Sequence, residues 1–138
     1  MKKYGSQITQ EMIPLIEWEG YSDEIYYDSK GIPTTGVGQT GRYAEMGYPD
    51  VFRIEKARLI RYTPTLSTLP EHVQDALIVA NYRGDWKQSP KARKLFKDGR
   101  YAEAAEEYLD NAEYRNEETP AQIKKRFEYV AEAIRSLA

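Results

Sequence analysis

The chain contains no cysteine, a single histidine and no long apolar run, and each absence removes a class of answer. Without cysteine no disulfide framework or thiolate metal site can hold the fold, so the 138 residues must bury an ordinary core, for which 41% hydrophobic residues suffice. Either redox compartment would be tolerated. The one histidine, His72, has no second histidine at ligand spacing and reads as a surface residue. The longest clean apolar stretch is Ala76-Leu77-Ile78-Val79-Ala80, and Lys2 and Lys3 have no apolar segment behind them. The sequence therefore predicts neither a signal peptide nor a membrane span. An excess of positive charge is missing too: 20 Lys and Arg stand against 22 Asp and Glu. That balance argues against nucleic acid as the main partner and requires any binding of a polyanion to be local.

What is present concentrates in Glu19 to Gln39. Met12, Leu15, Ile16 and Glu19 recur at helical spacing, and Gly20 stands where a left-handed residue would close the helix. The helix is expected to begin near Thr9 to Glu11 with Pro14 in its first turn, leaving Glu19 at its end. Ile25 to Tyr27 and Ile32 to Val37 have strand composition, and Asp28-Ser29-Lys30-Gly31 between them is turn chemistry, so a hairpin is predicted with Asp28 and Thr34 on either side of its turn. An acid on a helix end, facing a carboxylate and a hydroxyl, is a layout that acid/base hydrolysis requires. Taken singly, these residues are a helix-end charge, a turn aspartate and a strand threonine. Glu17 competes for the acid role but points to another side of the helix.

Downstream, Thr40 to Pro49 reads as loop and Asp50 as an N-cap for a helix over Val51 to Arg61, with Val51, Ile54, Ala57 and Leu59 apolar. Pro64 and Pro70 bracket a turn-rich passage. From Glu71 the chain is helical: Val73, Ala76, Leu77 and Ala80 form a stripe that ends near Gly84. Ser89-Pro90 opens a short helix to Lys97, Asp98-Gly99 breaks it, and Tyr101 to Leu109 places Ala104, Ala105, Tyr108 and Leu109 on one face. Thr119-Pro120 opens the last helix, with Ile123, Phe127, Val130, Ala131 and Ile134 inward. Tyr26, Tyr27 and Trp86 read as packing aromatics, although sugar rings also stack on such faces.

Glu19-Gly20, Tyr26-Tyr27-Asp28, Ser29-Lys30-Gly31 and Thr34-x-Gly36-x-Gly38 together resemble the phage-type lysozyme (muramidase) family. In that family the catalytic Glu is followed nine positions on by an Asp and six beyond that by a Thr, the spacing of Glu19, Asp28 and Thr34. Asp98-Gly99-Arg100-Tyr101, Ala104-Ala105, Glu113-Tyr114 and the Thr119-Pro120 helix start resemble the family's helical lobe, so the resemblance covers residues 9–40 and 69–135. Two departures stand out. Gln39 replaces the His of many members, removing any ion pair made there, and the stretch from Gln39 to Pro70 is short, which would reduce the upper wall of the cleft.

The resemblance implies an α+β, mainly α fold in two lobes flanking a cleft, within one catalytic domain over 1–138. A first helix and small antiparallel β-hairpin or sheet lobe would occupy 9–50, a connecting helix 51–61 and a helical lobe 69–138. It implies hydrolysis of the β-1,4 bond between N-acetylmuramic acid and N-acetylglucosamine in peptidoglycan, with inversion. Glu19 would be the acid, and Asp28 with Thr34 would hold the attacking water. Asn81, Tyr82 and Arg83 would contact substrate, and Arg126, or its neighbour Lys125, would orient Glu19. No metal or cofactor is implied. The expected setting is a monomer in the phage-infected host cytoplasm, released to the wall by a separate membrane-permeabilising protein (a holin), or carried on the virion. A lysozyme fold kept as a wall-binding or virion-structural module is the alternative, and a secreted antibacterial toxin with the same chemistry a third.

Overall fold

The protein was analysed as a computed structural model, which describes residues 8–19, 22–27, 33–36, 39–40 and 48–138, with side-chain surroundings for 8–19 and 49–138. The chain divides into two compact units, Met1–Ala57 and Arg58–Ala138.

In the first unit a 3-10 turn, Gln10–Met12, runs into helix α1, Ile13–Glu19. Pro14 takes the second position of α1, where its missing N–H would have no intrahelical acceptor. Met12, Leu15 and Ile16 are buried, as the helical spacing requires. The backbone then pairs antiparallel as β1 (Ser22–Tyr27), β2 (Pro33–Gly36) and β3 (Gln39–Thr40), in that order. Tyr26 stands opposite Thr34, Tyr27 opposite Pro33 and Thr34 opposite Thr40, with a register shift between the Ser22 and Tyr26 pairs.

The expected fold class needs correction here. Strands of six, four and two residues make a small ribbon. Among the residues with described side-chain surroundings 75% are helical, in seven α-helices, and none is in a strand, so a β lobe is not seen. The protein is mostly helical, and the two-lobed α+β architecture does not describe it.

Helix α2, Tyr48–Tyr62, starts earlier than Asp50 could cap it. Pro49 is tolerated at its second position, and Asp50 lies within the first turn, paired with Arg53. Phe52 is buried beside Val51, whereas Ala57 is exposed, so the apolar stripe is displaced from the expected one.

The second unit is organised by α3, Glu71–Arg83, whose residues 76 to 81 are all buried. Gly84, at φ +89°, ends it: the Gly84 N–H bonds Asn81 O at 2.9 Å and the Asp85 N–H bonds Ala80 O at 3.0 Å. This paired closure needs a left-handed residue, which glycine adopts without strain. Helix α4 (Pro90–Lys97) closes identically through Gly99, and α5 (Tyr101–Leu109) follows. A single turn, α6 (Ala112–Arg115), is capped by Asn111, whose side chain accepts from the Tyr114 N–H. Helix α7, Ala121–Arg135, begins after Pro120, and Thr119 does not cap it; its hydroxyl donates to Glu113 O at 2.6 Å. Helix α7 packs on α3 and α5, and α4 on α5. An aromatic series joins these elements: Phe96, Trp86, Tyr108, Phe127 and Tyr114, with successive ring centroids 5.6, 6.1, 5.7 and 5.9 Å apart.

Candidate functional site

Glu19 is the last residue of α1 and half-buried, its Oε2 enclosed. Asp28, the second member of the trio, lies outside the described residues. Thr34 is described through its backbone: it lies in β2, between Tyr26 of β1 and Thr40 of β3. The competing Glu17 is exposed.

Asn81, Tyr82 and Arg83 occupy the last turn of α3, held by the Gly84 closure. They are treated differently by their surroundings. Asn81 is only 8% exposed and its Oδ1 is enclosed without a hydrogen-bond partner among the described residues, whereas Tyr82 is half-buried. Arg83 reaches sideways: its Nη2 donates to Glu113 Oε1 at 2.7 Å, its Nε lies 3.6 Å from Asp85 Oδ2, and its guanidinium sits 5.6 Å from the centre of the Phe127 ring. Two carboxylates and an aromatic face thus hold one planar cation, an arrangement that a lysine could not reproduce.

Of the basic run Lys124-Lys125-Arg126, Arg126 alone is buried. Its Nη2 donates to the Val79 carbonyl at 2.8 Å, tying α7 to the middle of α3. Tyr108 lies in the same region. Burial pushes its phenol well above the usual tyrosine range, Asp85 adds to that, and Arg126 and Arg83 oppose it. Its hydroxyl is enclosed, without a hydrogen-bond partner among the described residues. The structure thus brings Arg83 and Arg126 together electrostatically around Tyr108 and Asp85, within the second unit.

Sequence reasoning missed Asp85 and the polar end of Tyr108. Tyr108 fell on the apolar face of α5 by spacing, and nothing in that spacing reveals that two guanidinium groups stand near its hydroxyl. Glu113 entered only as part of a resemblance motif; its ion pair is tertiary. Trp86 is fully buried and donates from Nε1 to Thr63 Oγ1 at 2.9 Å, so it is a packing residue with no face open to a sugar. His72 is exposed, with Nε2 2.8 Å from Ser136 Oγ.

Among the described residues no three His, Cys, Asp or Glu side chains cluster as a metal site, and no helix is long and apolar enough to cross a membrane. In comparisons with known proteins, no family model and no curated protein matches the chain.

Proposed function

We propose that the protein is a peptidoglycan hydrolase, a muramidase cleaving the β-1,4 bond between N-acetylmuramic acid and N-acetylglucosamine. One observation carries the reading: Glu19, Asp28 and Thr34 combine three chemical identities with spacings of nine and six, and the glutamate among them terminates a helix.

In this reading Glu19 protonates the leaving oxygen while Asp28 accepts a proton from a water that the Thr34 hydroxyl helps to hold. The water attacks the anomeric carbon from the opposite face, giving inversion. Asn81, Tyr82 and Arg83 contact substrate. The chemistry draws on no metal or organic cofactor. The protein acts as a monomer, reaches the wall from the host cytoplasm through a separate membrane-permeabilising protein, and serves phage lysis or penetration.

The test is clearance of a bacterial wall suspension by the wild type and by Glu19→Gln. Clearance by the wild type, with reducing ends released, and none by the folded variant supports the reading. A folded wild type that binds walls and releases no reducing ends refutes it in favour of a non-hydrolytic wall-binding module.

A further inference from the structure

The chain as a whole is slightly acidic, yet residues 87–100 hold six cations, Lys87, Lys91, Arg93, Lys94, Lys97 and Arg100, against one anion, Asp98. Helix α4 sorts them. Its Ala92 and Phe96 are buried, while Lys91, Lys94 and Lys97 are exposed at successive three-residue steps, and exposed Lys87 precedes them. Three residues rise about 4.5 Å along a helix, so these lysines form a row on one side. Arg100 of this stretch is held by Glu103, as Lys56, Arg83, Arg115 and Arg135 are by carboxylates elsewhere; among the described residues none is paired with Lys87, Lys91, Lys94 or Lys97. Beside the row is a pocket of about 360 Å³ lined by Lys91, Lys94, Leu95, Asp98, Arg100 and Glu107.

We infer that the lysine row of α4 and its pocket bind a phosphate-linked polyol polymer attached to the bacterial wall. The location on a wall rests on the hydrolytic function proposed above. Four unpaired ammonium groups complement a run of phosphates, and Asp98 and Glu107 in the same pocket accept hydrogen bonds from polyol hydroxyls. Two other polyanions fit worse. Insertion into an anionic bilayer needs apolar side chains on the docking face, and single-stranded nucleic acid needs aromatic platforms for its bases. Among the described residues Ile60, on α2, is the exposed large hydrophobic, and Phe96 beside the row is only 5% exposed. The row therefore offers charge without a greasy or stacking surface, which suits a polymer of phosphates and hydroxyls.

The experiment titrates the full chain with soluble poly(glycerol phosphate) at 50 and 200 mM salt, which requires no hydrolysis. With about 0.7 counterions released per contact, four contacts predict that wild-type affinity falls about fifty-fold between the two salts. The variant Lys87→Gln/Lys91→Gln/Lys94→Gln/Lys97→Gln should bind at least tenfold more weakly at 50 mM and lose most of that salt dependence. The charge-matched Arg61→Gln/Arg115→Gln/Lys124→Gln/Arg135→Gln should keep both, with circular dichroism confirming that each variant is folded. Equal weakening in the two variants, or none in either, overturns the inference. So does binding that is as tight to oligothymidylate of equal charge or to phosphatidylglycerol vesicles. If the lysine variant alone loses the polymer while the wild type releases no reducing ends from walls, the surface stands and the hydrolytic function falls.

Discussion

Replacing Tyr108 with phenylalanine should stabilise the protein. The Tyr108 side chain is almost fully buried at 1% exposure, against Trp86 and Phe127, and its hydroxyl is enclosed with no hydrogen-bond partner among the described residues. A buried polar group left unsatisfied costs about 1 to 3 kcal/mol, and Phe keeps the ring contacts while removing that group. Loss of the hydroxyl leaves a small void, so a net gain of about 1 kcal/mol at pH 7 is expected, or a rise in Tm of about 3 to 5 °C for a domain of this size. Alkali supplies a second arm. Burial first, and then Asp85, raise the phenol of folded Tyr108 above its unfolded value near 10, so the folded state keeps its proton where the unfolded state has lost it. The stabilisation from that proton is complete below pH 10 and disappears as the pH climbs toward the folded value, at up to about 1.4 kcal/mol per pH unit. Every other tyrosine titrates in both proteins and cancels in the difference. The advantage of Tyr108→Phe should therefore widen from pH 9 to pH 11. Urea unfolding at pH 7, 9 and 11 measures it. A Phe variant less stable than wild type by 1 kcal/mol or more, or a gap that narrows with alkali, would refute the reasoning and mean that the hydroxyl is satisfied by a bound water.

Thr63→Val should cost about 1 to 3 kcal/mol in urea unfolding, because it strands the fully buried indole N–H of Trp86; Thr63→Ser should restore most of that. Gly84→Ala should cost about 1 to 2 kcal/mol from its φ of +89° alone, since an added Cβ would meet nothing closer than a Gln88 side-chain atom at 3.7 Å; equal stability would mean the α3 terminus relaxes. Asp28→Asn and Thr34→Ala should each slow wall hydrolysis, Asp28→Asn more, and their combined loss in free energy should fall short of the sum, as for two groups holding one water; strict additivity in the double-mutant cycle would separate their roles.

How far the sequence could be read depended on the length and repetition of each signal. Helix α3 was legible because its stripe recurs over three turns and ends in a glycine, and α5 because one amphipathic run follows the Asp98-Gly99 break. Helix α6 was not, since a single turn has no period to detect; its only signal was Asn111, three residues before the N–H it caps. Helix α2 began early because a proline in a first turn is neutral, so the Asp50 cap signal pointed three residues too late. The α+β class was over-read for a related reason. Two strand-like runs around a turn identify local pairing, but whether a ribbon grows into a lobe depends on the apolar surface it can cover, and that is decided elsewhere in the chain.

The polar centre shows the same limit from the other side. Arg126 is embedded in a run of three basic residues that reads as a solvated face, and periodicity separates it from Lys125 only once α7 is set against α3. A buried guanidinium is costly unless its hydrogen bonds are made, and hydrophobic residues of similar volume are often no worse for stability. Its Nη2 spends one such bond on the Val79 carbonyl, in the middle of a helix where that oxygen already accepts from the backbone, which adds little to what α3 needs for itself. Arg83, by contrast, joins α3 to α6 through Glu113 and covers Phe127, so packing alone gives it a reason to be there. The two arginines therefore tie different elements together: Arg83 joins α3 to α6 through Glu113, and Arg126 joins α7 to the middle of α3 through the Val79 carbonyl.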